Sequence, residues 1–181
     1  SEQFTLDLIT TNPDALPDEI DSFYNIHGSN YSATFPGGYM ALNSYLETTN
    51  PIALTYIIRP PTTGTIAALL AKRHDVPFLY RHSGETFRDY TLFSGYSKAR
   101  LFGLKNTVGR VPLITATKYI SLGPAGKYQL INRGISPSDI HILPPPVDVD
   151  RFNNPSESLS VDLPANAPVI LFVGRKSPLK G

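Results

Sequence analysis

The 181 residues contain no cysteine, so disulfides and thiolate metal sites are excluded, which fits a reducing compartment. There is also no apolar run of about 18 residues, the length a membrane-spanning helix needs. The opening residues, SEQFTLDLITT, have neither the cationic start nor the apolar stretch of a secretory signal. They lack an initiating Met and enter a strand-like run almost at once, so the chain is expected to be trimmed at both ends. Charge is scarce. Only 17% of residues are Asp, Glu, Lys or Arg, and the formal net charge is +1. That balance gives no global attraction to nucleic acid or to a membrane.

The most local absence is of acid. From Tyr90 to Ser138 there is no Asp or Glu, while Lys98, Arg100, Lys105, Arg110, Lys118, Lys127 and Arg133 are all present. This stretch carries +7 and the remainder of the chain −6, so one surface is expected to be strongly basic.

What is present begins with a hydrophobic content of 41%, enough for a real core, in a chain whose length suits one domain plus a fragment. Apolar runs alternate with helix-like stretches. Strands are expected at Phe4 to Ile9, Ser22 to Ile26, Ile52 to Ile58, Phe78 to Arg81, Val111 to Ala116, Ile140 to Leu143 and Val169 to Val173. Helices are expected after Phe35-Pro36 to about Glu47, from Thr62 or Thr63 to His74, and from about Tyr90 to Lys105. A last helix is expected from about Lys118 to Asn132, interrupted near Gly123-Pro124. In the second helix Ile66, Leu69 and Leu70 are the expected inner face. The alternation predicts an α/β fold with a Rossmann-like parallel sheet flanked by helices. Near-continuous apolar strands such as IALTYII suit burial on both faces.

Ligands of open parallel sheets bind beyond the carboxyl ends of the strands. Three segments carry polar chemistry there. VPFLYRHSGETF puts Arg81, His82, Ser83, Gly84 and Glu85 after a strand. It is either a site or a polar loop whose histidine caps a neighbouring helix. VILFVGRKSPLKG runs from a strand into Gly174, Arg175, Lys180 and Gly181. Its glycines allow close backbone approach and its cations suit phosphate, although a basic surface turn has the same composition. IHILPPPVDVDRF is a strand, a stiff proline run and an acidic turn, the makings of a domain-boundary linker. His27, His74 and His141 show no metal-ligand spacing, so no metal site is expected.

Taken together, these three segments resemble glycosyltransferase family 4, retaining sugar-nucleotide enzymes of GT-B fold. VILFVGRKSPLKG is similar to the family's strand-GR-x4-KG motif, which opens the donor-binding domain. IHILPPPVDVDRF is similar to its boundary segment, and VPFLYRHSG to the strand and loop carrying its active-site histidine. GRVPLITATKYISLGPAGKYQLINRGISPSDIHIL resembles the strand-helix unit before the boundary, so the likeness covers about Pro51 to Gly181. The chain departs from the family in several places. The family's first strand, glycine-rich turn and first helix have no counterpart, nor have most of the donor domain and its paired-glutamate motif. Pro145-Pro146 stands where Asn-Gly or Pro-Gly is common.

The resemblance implies an acceptor-side domain over residues 1–152, a linker over 153–168 and the start of a donor domain over 169–181. It implies transfer of a sugar from a nucleotide sugar to an acceptor by a complete parent enzyme, with the 181 residues inactive alone. His82 would contact the donor sugar, and Gly174, Arg175 and Lys180 the diphosphate. Arg59 and Glu85 join them as candidates through their positions at strand ends. Neither a cofactor nor a metal is expected, because fixed cations can neutralise the leaving diphosphate. The expected partners are a nucleotide sugar and an acceptor of unknown identity, lipid-linked acceptors being common in the family. Nucleic acid is not an expected partner. The expected location is the cytoplasm, with peripheral attachment to an anionic membrane as one option. That option rests on Tyr96, Leu101, Phe102, Leu104 and Val108 interleaved with Lys98, Arg100, Lys105 and Arg110. The alternative is an ordinary core helix with a solvated cationic face. Two rival functions stand beside transfer: a sugar-nucleotide epimerase of related fold, and a non-catalytic binding or scaffolding module.

Overall fold

Among the described residues, two short parallel sheets form the framework. The computed structural model describes residues 4–29, 35–56, 62–83, 87–147 and 149–153. Strand β1 (Asp7–Thr10) pairs with β2 (Asn25–Gly28), Asp7 lying opposite Asn25. Strands β3 (Leu79–His82), β4 (Lys118–Ser121) and β5 (Ile140–Ile142) form the second sheet in the order β3-β4-β5, with His82 opposite Ser121. The result is an α/β fold, compatible with a Rossmann-like arrangement, but divided into two small sheets where one was expected.

The expected strand at the Ile52 run is reduced, among the described residues, to one bridge. Leu54 makes a single parallel bridge to Phe78, through Leu54 N to Pro77 O and Leu79 N to Leu54 O, both 2.8 Å. In a continuing ladder the next donor to Leu79 O would be the Tyr56 N–H. The Thr55 hydroxyl donates to that carbonyl instead, at 3.1 Å. A side-chain donor thus takes the place of the ladder, as threonine hydroxyls are able to do.

Helix α1 (Phe35–Thr48) carries Pro36 in its first turn, where a missing N–H costs nothing. It buries Ala41, Leu42, Tyr45 and Leu46, a stripe of helical period. Helix α2 (Thr62–Arg73) packs against α1 and against the segment from Val108 to Thr115, and it buries Thr65, Ala67, Ala68, Leu70 and Ala71. The expected inner face is corrected here. Leu70 is buried and Ile66 half-buried, but Leu69 is 53% exposed. Small residues allow the helix to sit close, and they turn Leu69 away.

Two further corrections fall between Val111 and Asn132. Val111 to Ala116, expected as a strand, is helix α4 (Val111–Thr115), with Pro112 at its start. The expected helix from Lys118 begins instead as β4, and only its second half is helical, as α5 (Pro124–Ile131). Pro112 has its fixed φ suited to a first helical turn and is itself fully buried. The Tyr119 hydroxyl reaches back to Leu113 O at 2.6 Å and ties α4 to β4.

Helix α3 (Gly95–Asn106) follows a 3-10 turn at Asp89–Leu92 and buries no residue. The core gathers Leu54, Tyr56, Phe78, Tyr80, Leu113, Tyr119, Leu130 and Ile140 with the inner faces of α1 and α2. The chain divides into a unit ending at Leu143 and a second beginning at Pro144. Of the second, the structure describes Pro144–Val147 and the short helix α6 (Val149–Asn153). The expected linker and the Val169 to Val173 strand lie outside the described residues.

Candidate functional site

Alternation along β3 sends Tyr80 and His82 to the same buried face. His82 is the last residue of the strand and only 1% exposed. Its ring lies nearly parallel to those of Tyr80 and Phe87, with centroids 6.3 and 5.1 Å away. Beyond Phe87 the guanidinium of Arg133 sits 4.3 Å over the ring centroid, a cation–π contact. Tyr80, His82, Phe87 and Arg133 therefore form one stack at the carboxyl edge of the sheet.

Helix α5 covers this stack. The chain leaves β4 at Ser121, turns through Gly123 and enters the helix at Pro124. The fully buried Ser121 hydroxyl donates to Gly123 O at 2.7 Å, and Gly123 N approaches the same hydroxyl at 3.4 Å. Gly126 is the point of closest approach. A Cβ there would run into Ser121 Oγ and lie 3.0 Å from His82 Cδ2. One turn on, Gln129 Oε1 accepts a hydrogen bond from His82 Nε2 at 2.6 Å. Because a carbonyl oxygen only accepts, Nε2 carries the hydrogen in this arrangement. The imidazole is thus fixed in position, tautomer and tilt by Gln129, Phe87 and Tyr80.

His82 is the one predicted site residue that the structure describes, and it stands at a carboxyl strand end as expected. The sequence left a choice between a functional site and a polar loop whose histidine caps a helix; the structure makes His82 the buried last residue of β3. Arg59, Glu85, Gly174, Arg175 and Lys180 lie outside the described residues. The sequence reading missed Ser121, Gly126, Gln129, Phe87 and Arg133. The first two carried a signal, since SLGPAG after an apolar run has the form of a strand-turn-helix junction. Gln129 and Arg133 reach the site only through the fold.

A second polar cluster joins β1, β2 and α1. Asp7 Oδ2 accepts from the Tyr45 hydroxyl at 2.6 Å, and Oδ1 accepts from Asn25 Nδ2 at 3.0 Å and lies 3.3 Å from His27 Nε2. The Tyr45 hydrogen bond leads in holding the Asp7 carboxyl below its usual range. Burial opposes that shift, while Asn25 and His27 add to it. Burial in turn pushes the Tyr45 phenol up to about 12, helped by Asp7. Asp7 and Asn25 open their strands, so the cluster sits at the amino ends and serves as a clasp between sheet and helix.

The remaining histidines are occupied or exposed. His74 Nε2 is 3.2 Å from Asn43 Oδ1, and His141 is exposed on β5. Among the described residues no group of three or more His, Asp or Glu side chains could hold a metal ion. Nor is any described helix long and apolar enough to cross a membrane. Compared with known protein families, curated proteins and solved structures, the chain matches none.

Proposed function

We propose that this chain is the acceptor-side part of a retaining glycosyltransferase that moves a sugar from a nucleotide-sugar donor. The observation that carries the reading is the position of His82. It ends β3 directly beside Ser121 at the end of β4, on the edge where parallel α/β sheets take their ligands. The same chain carries the strand-Gly174-Arg175-x4-Lys180-Gly181 sequence, whose two cations suit a diphosphate.

In this mechanism the bond between the anomeric carbon and the diphosphate oxygen breaks, and negative charge grows on that oxygen. Arg175 and Lys180 stabilise the charge in the transition state, so no metal is required. The acceptor hydroxyl oxygen bonds to the anomeric carbon on the face the leaving group vacates and passes its proton to the departing diphosphate oxygen. His82 contacts the sugar and acts through a fixed dipole rather than as a general base. Its clamp by Gln129 gives the preorganisation that such a role needs.

One observation favours a second reading, a non-catalytic binding module: His82 is almost wholly buried, as a core histidine would be. Kinetics of the parent protein with separate nucleotide-binding titrations decide between them. The transferase reading predicts that His82→Ala lowers kcat far more than it weakens nucleotide binding. It predicts that Arg175→Ala and Lys180→Ala each weaken donor binding and rate together, by about 1.5–3 kcal/mol for a lost charge-assisted contact. Normal turnover in a folded His82→Ala protein would remove the residue from the site.

A further inference from the structure

Among the described helices of eight or more residues, α3 alone buries no side chain. With the 3-10 turn before it, this helix forms a ledge, tied by an edge-on contact of Tyr90 with Phe102 at 5.2 Å. Leu92, Phe93, Tyr96 and Phe102 are large apolar side chains exposed along it, Tyr96 by 81%. Between turn and helix runs an open groove of about 390 Å³, lined by Tyr90, Gly95, Lys98, Ala99 and Phe102. Lys98 and Arg100 are exposed among these residues, and neither has an ion-pair partner among the described residues. After Asp89 the next acid in sequence is Asp139, and Lys118 already holds it at 2.7 Å.

We propose that this ledge docks on an anionic lipid bilayer. The helix lies in the plane of the surface, Leu92, Phe93, Tyr96 and Phe102 enter the headgroup boundary, and Lys98 and Arg100 face the anionic headgroups. Charge complementarity selects an anionic occupant, and the bulk of the apolar side chains selects a bilayer. A nucleic acid would leave Leu92 and Phe93 without a role. A long polyanion would also meet the −6 carried outside the Tyr90 to Ser138 stretch, whereas a planar bilayer touches one face. The proposal stands independently of sugar transfer.

Co-sedimentation of the 181-residue chain with vesicles of phosphatidylcholine, with and without phosphatidylserine, tests it. Binding is expected to the anionic vesicles alone and to disappear at high salt, which screens the cations. Each cation near an anionic surface is worth about 1 kcal/mol, or about fivefold in affinity. Lys98→Gln with Arg100→Gln should therefore weaken binding about 30-fold, while Lys72→Gln with Arg73→Gln on α2 should change it little. The chain has no tryptophan, so Phe93→Trp supplies a single fluorophore whose emission should shift to the blue on anionic vesicles. Since Phe93, Lys98 and Arg100 are exposed, Phe93→Trp and the Lys98→Gln with Arg100→Gln variant should melt like the parent. No sedimentation with anionic vesicles at low salt would overturn the proposal. So would equal losses in both double variants, unshifted tryptophan emission from the vesicle-bound Phe93→Trp protein, or equally tight binding to single-stranded DNA or an acidic peptide.

Discussion

At the scale of single residues, the packing is tight where α5 meets the sheet edge. Gly126 has no room for a methyl group, because Ser121 Oγ and His82 Cδ2 occupy the space. Gly126→Ala gains helix propensity worth about 1 kcal/mol but forces the covering helix away, and overpacking typically costs about 1–3 kcal/mol. The expected net effect is destabilising. Gly103 in α3 has nothing within 4 Å of the added carbon, so Gly103→Ala should stabilise by about 0.5–1 kcal/mol. Urea midpoints of the two variants should move in opposite directions; a shift in the same direction would contradict the close approach.

The clasp at Asp7 gives a prediction with a sign in pH. Its folded carboxyl sits lower than the unfolded one, so its stabilisation is present above the ordinary carboxylate value of about 4. It is lost as pH falls through the lowered folded value. Tyr45 works at the other end of the scale. Its phenol is raised to about 12, so the folded state keeps a proton that the unfolded chain releases near 10. That contribution is complete below about 10 and is lost as pH rises toward 12. Tyr45→Phe removes a hydrogen bond to a charged group and should cost about 1.5–3 kcal/mol at neutral pH. The cost should shrink both in strong acid and above the unfolded phenol's range. Denaturation followed across pH checks this; a cost constant over the whole range would contradict the clasp.

At the scale of elements, legibility followed pattern length. The long helical periods of α1 and α2 were readable to within a residue or so, because caps, prolines and apolar spacing agreed. Strand β5 was readable for the same reason, being an apolar run closed by prolines. VPLITATKYIS was not. Its two apolar halves are both rich in β-branched or aromatic residues, and only the fold decides which half joins the sheet. Thr117 N donates to Phe78 O at 2.8 Å and starts the ladder one residue before Lys118, leaving the first half to coil as α4. The inner face of α2 went astray because size was taken for burial, whereas alanines made the contact. The difference is measurable. Leu70→Ala should cost about 2–5 kcal/mol and Leu69→Ala under about 0.5 kcal/mol in chemical denaturation. Equal costs would contradict the assigned face.

At the scale of the whole molecule, the parallel α/β plan was visible from the alternation of apolar runs and helical stretches, but its division into two sheets was not. The site was half visible. A histidine at a strand end can be found in sequence, while Gln129 meets it, and Arg133 stacks on Phe87, only after the chain folds across the edge. The central claim is that the protein carrying this chain transfers a sugar with retention. Product analysis tests it most directly: incubation with a panel of nucleotide sugars and candidate acceptors, followed by proton NMR of the products. The account predicts release of a nucleoside diphosphate and a new glycoside with the donor's anomeric configuration, both strongly reduced by His82→Ala. An isomerised nucleotide sugar formed without acceptor, an inverted product, or binding with no turnover would contradict it.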